Sequence, residues 1–206
     1  RAGHLARLVE DLLLASRISE SGGRAKVEMG SDDLVRLLHR STGDFGEDSA
    51  RITVEAPETP VLVQCDPVRV TQVLGNLVGN ALKYSATGSP VVARLKVVDG
   101  AAVVEVEDHG RGIPADQLEK VFDKFHRVED PLVMTTGGTG LGLYIARQLT
   151  HAMGGELSCR STLGVGSVFS LSLRVAEKAP DAPSRPPFPA PRHAESHRAP
   201  SAPSGV

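Results

Sequence analysis

The sequence predicts an α/β sandwich, and three observations carry that prediction. The hydrophobic share is 40%, yet aromatic residues make up only 3% and Trp is absent, so a core must be built from Val, Leu, Ile and Ala. Segments of strand-like alternation recur between segments of helical period, with turn residues at the joints. The glycine-dense run Gly137 to Gly142 (G-G-T-G-L-G) enters an amphipathic segment, Leu143 to Met153, where backbone N–H groups can approach an anion with no Cβ in the way. The spacing is not that of a dinucleotide fingerprint, because Thr139 stands where its second glycine belongs, and no Gly-Lys-Ser/Thr follows as in a P-loop. By itself the run fits either a phosphate site of another nucleotide fold or a plain tight turn.

Composition narrows the partners. A net charge of −2 leaves no basic footprint, which argues against nucleic acid. Cys65 and Cys159 are far apart, with no C-x-x-C and no His cluster, and read as buried small hydrophobes in a reducing compartment. Neither a signal peptide nor an apolar run long enough to span a bilayer is present. Beginning at Arg1 inside a helical pattern, the chain is expected to be a piece of something longer.

Leu5, Leu8, Leu12, Ala15 and Ile18 recur at three- and four-residue steps and stop at Ser21-Gly22-Gly23. This predicts a helix with a narrow apolar seam, suited to a partner helix from upstream, with packing on its own domain as the alternative. Lys26 to Met29 reads as a short strand, and Ser31 as the N-cap of a helix with Leu34, Val35, Leu37 and Leu38 on its apolar side. Asp44 to Asp48 reads as an acidic loop, and Arg51 to Glu55 and Val61 to Gln64 as strands.

Asp66 then N-caps a helix with Pro67 at N1 and a buried stripe of Val70, Leu74, Leu77, Val78 and Ala81. On it Asn76, Asn80 and Lys83 fall within roughly 60° of arc, placing two amides and an ammonium along one edge. An Asn carbonyl suits Mg²⁺, and Lys83 can balance phosphate charge. Two surface asparagines are the plainer alternative, although Asn is a poor helix former.

Val91 to Val97 and Ala102 to Glu107 read as strands, the second delivering Asp108 into the loop Asp108-His109-Gly110-Arg111-Gly112-Ile113-Pro114. A carboxylate there can accept a hydrogen bond from an exocyclic amino group of a base, or simply start a turn. Pro114 is expected to open a short helix ending in Val121-Phe122-Asp123-Lys124-Phe125-His126-Arg127. Val128 to Thr136 reads as a lid, Leu141 onward as a helix burying Ile145, Ala146, Leu149 and Met153, and Glu156 to Ser161 with Ser167 to Leu173 as a hairpin. Eight of the fourteen prolines lie from Pro180 onward, so the tail is expected to be disordered.

Taken together, these motifs resemble the sensor histidine kinases of bacterial two-component systems. Asn76-Leu77-Val78-Gly79-Asn80-Ala81-Leu82-Lys83-Tyr84-Ser85 is similar to their N box, Asp108-His109-Gly110-Arg111-Gly112-Ile113 to the G1 box and Phe122-Asp123-Lys124-Phe125 to the F box. Gly138-Thr139-Gly140-Leu141-Gly142-Leu143 is similar to the G2 box and Gly164-Val165-Gly166-Ser167 to the G3 box. The resemblance implies the Bergerat ATP-binding fold, a two-layer sandwich of a mixed sheet covered on one face by helices, with ATP and Mg²⁺ as ligands. It implies that Asn80 coordinates Mg²⁺, that Asn76 lies beside the phosphates and that Lys83 and Arg127 face the phosphate chain. It also implies that Tyr84 packs on adenine, that Asp108 binds its amino group and that Gly138, Gly140 and Gly142 hinge the lid. Gly110, Gly112, Ile113, Phe122, Phe125, Thr139, Leu141 and Leu143 join the ATP-binding set as members of the matching boxes.

By the same resemblance, residues 1–22 are the end of a dimerisation and phosphotransfer helix, 26–175 the catalytic ATP-binding domain and 176–206 a tail. The H box is absent: none of His4, His39, His109, His126 and His151 has its context, so the phospho-accepting histidine is expected upstream of Arg1. The implied activity is transfer of the γ-phosphoryl group of ATP to that histidine, carried on the parent's bundle, and onward to a response-regulator receiver domain. The parent is expected to act as a homodimer with this segment in the cytoplasm, its membrane anchoring left open. An ATP-hydrolysing module of the same fold, like gyrase B, MutL or Hsp90, is the alternative, although such proteins carry a Glu base where this chain has Asn76.

Overall fold

The computed structural model describes residues 2–23, 25–128 and 139–176. In chain order, α1 (Ala2–Glu20) leads to β1 (Gly30–Asp33), α2 (Leu34–Gly43), a 3-10 turn (Gly46–Arg51), β2 (Ile52–Glu55), β3 (Leu62–Cys65) and α3 (Pro67–Tyr84). β4 (Val91–Val98) and β5 (Ala101–Asp108) follow, then 3-10 turns at Ala115–Gln117 and Lys120–Phe122, α4 (Gly142–Ala152), β6 (Glu156–Thr162) and β7 (Gly166–Arg174).

Strand alternation builds the sheet. β5 lies at its centre, antiparallel to β4 and β7; β6 closes the hairpin with β7, and β2 joins β4 in parallel, giving the order β2-β4-β5-β7-β6. Every second residue of the three central strands turns inward: Val91, Ala93 and Leu95; Ala102, Val104 and Val106; Phe169, Leu171 and Leu173. They meet the stripes of α2, α3 and α4, so a two-layer sandwich with one covered sheet face results. Burying one such side chain, Leu74 or Leu77 of α3 for instance, stabilises the fold by about 1.5–3 kcal/mol. The other sheet face is polar. There Glu105 accepts from Lys96 at 2.9 Å and Arg160 at 3.0 Å, and the Lys96 hydrogen bond holds its carboxyl below the usual glutamate range.

Helix α3 is anchored as its sequence demands. Asp66 Oδ1 accepts from the backbone N–H of Val68 and Arg69 at 3.0 and 3.2 Å, and its Oδ2 accepts from Glu28 N–H at 2.9 Å. The cap therefore also ties down the segment entering β1.

Elsewhere the local pattern yields to tertiary partners. The expected strand at Lys26 to Met29 is irregular, and Ser31 is not a cap but part of β1, which pairs with β3. Asp33 caps α2 instead, its Oδ1 accepting from Val35 N–H at 3.0 Å and Val61 N–H at 3.1 Å. The expected helix after Pro114 is two separate 3-10 turns. In α1, Ala15 and Ile18 are buried against the domain, but Leu12 of the expected seam is 54% exposed, beside Val9 at 50% and Leu13 at 52%. At 100° per residue, Asp11, Leu14, Ala15 and Ile18 share one face and Val9, Leu12 and Leu13 the opposite one, so the helix is apolar on two sides. Cys65 is fully buried, whereas Cys159 is half-buried. The lid expectation lies outside the described residues except for Val128, as do Gly137, Gly138 and the tail beyond Ala176.

Candidate functional site

A cavity of about 280 Å³ opens where α3, the end of β5 and the start of α4 converge. From α3 it takes Gly75, Asn76, Gly79, Asn80, Lys83 and Tyr84, the edge that helical period brings together. Asn76 Nδ2 donates to the Gly142 carbonyl at 3.2 Å, and a Cβ on Gly142 would sit 3.4 Å from Asn76 Oδ1, so α3 and the α4 entry interlock. Lys83 Nζ donates to the Tyr84 hydroxyl at 3.1 Å and lies 4.6 Å from the ring centroid. The Arg111 guanidinium approaches the same ring at 5.0 Å, and its Nη2 donates to the Val128 carbonyl at 3.3 Å.

Asp108 ends β5 with its side chain buried in the cavity wall. Burial pushes its carboxyl above the usual aspartate range, against hydrogen bonds from Gly110 and Ser167 and the proximity of His109, which pull the other way. The Gly110 N–H reaches Asp108 Oδ1 at 2.8 Å. The following loop is clamped by the β6–β7 hairpin. Ile113 N–H donates to Ser161 Oγ at 2.8 Å, Gly164 N–H donates to the Arg111 carbonyl at 2.7 Å, and a Cβ on Gly112, whose φ is +69°, would collide with the Thr162 carbonyl oxygen.

The third wall is the turn before residue 129 and the chain after 138. Phe125 has φ 60°, and its N–H donates to the Gly140 carbonyl at 3.0 Å. Gly140 also has positive φ, and a Cβ there would lie 2.8 Å from the Phe125 carbonyl carbon. Thr139, Gly140, Gly142 and Leu143 line the cavity at the N-terminus of α4, which carries no side-chain cap and presents its free N–H groups as an anion site.

Of the residues singled out from sequence, Asn76, Asn80, Lys83, Tyr84, Asp108, Gly112, Ile113, Arg127, Thr139, Gly140, Gly142 and Leu143 line this cavity together. Four do not. Gly110 supports Asp108 from behind, Phe122 is core with an edge-on contact to Phe169 at 6.3 Å, and Leu141 is fully buried under the α4 entry. Phe125 is turned outward, 61% exposed, by its left-handed φ. Gly138 lies outside the described residues.

Sequence reasoning passed over Asp11, Arg111, His126, Ser167 and Phe169, all of which line the cavity. Ser167 and Phe169 alternate on β7 and were readable from it; Arg111 sits between two expected site glycines. Asp11 comes from α1 and carries no local signal.

Residues 65–177 match the family of histidine kinase-, DNA gyrase B-, and HSP90-like ATPases. The chain belongs to that family. Within this ATPase family it is similar to the sensor histidine kinase WalK of Bacillus subtilis (strain 168), at 34% identity over 182 residues, 86% of this chain and 30% of that protein. Among solved structures it is similar to the mycobacterial sensor histidine kinase MprB, with 27% identity, a TM-score of 0.62 and coverage of 72% of this chain and 98% of that one. Full-length ShkA in complex with AMPPNP is also similar, with 26% identity, a TM-score of 0.69 and coverage of 84% and 36%. The chain thus spans about a third of the length of the curated relative, and as an ATPase-family domain it carries an ATP-binding fold. No helix among the described residues is long and apolar enough to cross a membrane.

Proposed function

We propose that this chain is the catalytic ATP-binding part of a sensor histidine kinase. It transfers the γ-phosphoryl group to a histidine imidazole outside residues 1–206, from which the group passes to an aspartate of a response-regulator receiver domain. One observation carries the reading: an amide-and-ammonium edge (Asn76, Asn80, Lys83), a buried carboxylate (Asp108) and an uncapped helix start (Gly140, Gly142) converge on a single cavity. Asp108 accepts from the adenine amino group, Tyr84 packs against the base, and Lys83 exchanges the Tyr84 hydroxyl for phosphate alongside Arg127. Such a site acts by positioning and by charge stabilisation, with little covalent chemistry from the protein.

The donor set fits Mg²⁺. Asn80 lines the cavity with a hard amide oxygen that no hydrogen bond to the described residues engages, and water and phosphate oxygens complete such a shell. A bound Mg²⁺ would supply neutralisation of phosphate charge. In this reading residues 1–22 end a phosphotransfer helix whose outer face, Val9, Leu12 and Leu13, meets the histidine-bearing bundle of a homodimeric parent. Residues 26–175 form the cytoplasmic catalytic domain, and 176–206 a tail.

A single feature favours a second reading, ATP hydrolysis. Asp11 lines the cavity with Gly75 and Asn76, bringing a carboxylate where an amide alone cannot take a proton from water. Titration with AMPPNP with and without Mg²⁺, followed by ATP and a supplied histidine-bearing bundle, separates the two. Saturable, Mg-dependent binding and phosphohistidine on the bundle but not on this chain are expected. Phosphate release that falls in Asp11→Asn, without any phosphohistidine, would put hydrolysis in place of transfer.

A further inference from the structure

In the loop Asp108-His109-Gly110-Arg111-Gly112-Ile113, Arg111 is the long side chain between two glycines, and its backbone is pinned from both sides. On one side the Gly164 N–H donates to the Arg111 carbonyl at 2.7 Å, and Gly112 is pressed so close to the Thr162 carbonyl that a Cβ would collide with it. On the other, a β-bridge between Ser85 and Gly110 seats the loop against the end of α3. A long side chain on so fixed a backbone has a restricted reach.

That reach takes the half-buried Arg111 into the lining of the cavity. Its guanidinium carbon stands 5.0 Å from the centroid of the Tyr84 ring, and Nη2 donates to the Val128 carbonyl at 3.3 Å. The ring is the one the functional reading gives to the base, and Asp108, which reads the base edge, lies three residues earlier in the same clamped loop. Lys83 reaches the ring from its hydroxyl side, bonded to the oxygen at 3.1 Å, and acts as a point charge. Arg111 differs in kind: a guanidinium is planar, delocalised and weakly hydrated, and it stacks on aromatic faces. Stacked planes lie about 3.5–4.0 Å apart, so a base held between Tyr84 and Arg111 needs about 7–8 Å. At 5.0 Å the guanidinium already occupies that space, and an entering base must lift it off the phenol ring. The purine then offers it a larger π face in exchange.

We propose that Arg111 is a base-clamping residue whose guanidinium lies flat on the face of adenine opposite Tyr84. The assignment rests on the nucleotide-binding reading above and names a contact within that site. Phenol and guanidinium then hold the two faces of the base while Asp108 reads its edge. Arg111 thereby contributes affinity for the base, and Lys83 and Arg127 affinity for the phosphates.

The test uses the full 206-residue chain as wild type and Arg111→Ala, titrated with AMPPNP, ADP and adenosine and followed by NMR. Arg111→Ala should bind all three ligands about threefold or more weakly, by the same factor for each. In the wild type, the Arg111 Cδ protons, assigned through the Arg111 amide, should show nuclear Overhauser contacts to the C2 or C8 proton of bound AMPPNP. A smaller loss, or tighter binding once the side chain is gone, overturns the clamp while leaving nucleotide binding intact. A loss that grows from adenosine to ADP to AMPPNP, or the absence of any contact to a base proton, overturns it in favour of a phosphate contact. If Arg111→Ala does not fold, the Overhauser contact decides alone. Failure of the folded wild type to bind AMPPNP removes the functional reading and this inference together.

Discussion

Replacing Asp108 by Asn separates what the carboxylate does for the fold from what it does for the ligand. Its side chain is buried, and Oδ1 is committed to the Gly110 N–H at 2.8 Å. In the Asn variant the amide oxygen can keep that contact, and the NH₂ group then replaces an acceptor, a donor set against both the Ser167 N–H and the adenine amino group. A hydrogen bond to a charged group is worth about 1.5–3 kcal/mol, so AMPPNP affinity should fall roughly 10- to 150-fold. Stability should move the other way. Burial raises the carboxyl pKa in the folded state, so the folded protein holds the proton more tightly than the unfolded chain. This group's contribution is therefore fully present below the unfolded pKa, about 3.9, and is lost as pH rises through the folded value. At neutral pH the wild type carries the cost of an ionised buried group and the Asn variant does not. Thermal melting should show Asp108→Asn at least as stable as wild type near neutrality, with the advantage shrinking toward about pH 4. Unchanged AMPPNP affinity would refute the adenine contact, and a variant less stable at every pH would refute the dominance of burial.

Asp66→Ala removes the cap of α3 and strands the Glu28 N–H, about 2–3 kcal/mol together, which should lower the melting temperature by roughly 5–10 °C. Its AMPPNP affinity measured well below that temperature should stay near wild type, because Asn76 lies more than two turns into the helix. Gly112→Ala forces a Cβ toward the Thr162 carbonyl at positive φ, so melting should drop by the equivalent of about 1–3 kcal/mol and nucleotide binding should weaken with it. Burial pushes both thiols up to about 12, so Cys65 and Cys159 should react slowly with a thiol reagent at about pH 8 and at full rate once denaturant unfolds the chain. The half-exposed Cys159 is the sharper case, and its rapid labelling in the folded protein would contradict that view.

Much of the sandwich and of the α3 side of the cavity was legible because their signals are periodic and local. Asn76, Asn80 and Lys83 share an edge in any regular helix, and β5 delivers Asp108 inward in any strand with its alternation. The cap at Asp66 was readable for the same reason, since its Oδ1 partners lie two and three residues away. Asp33 as the cap of α2 was not, because strand pairing with Leu62–Cys65 holds Ser31 extended from some thirty residues away.

The rest of the site was decided by contacts between distant parts of the chain. Whether Phe125 or His126 faces the cavity turns on one left-handed φ, held by a carbonyl fifteen residues further on, and no local pattern encodes it. Asp11 reaches the cavity only because Ala15 and Ile18 seat α1 on the domain, and Arg111 meets Tyr84 only because the G1 loop folds back over the end of α3. Local periodicity specifies the regular elements and the chemistry they carry. Tertiary packing decided which side chains share one volume, because that depends on backbone approaches at Gly112, Gly140 and Gly142 that are set by long-range contacts rather than by neighbours in the chain.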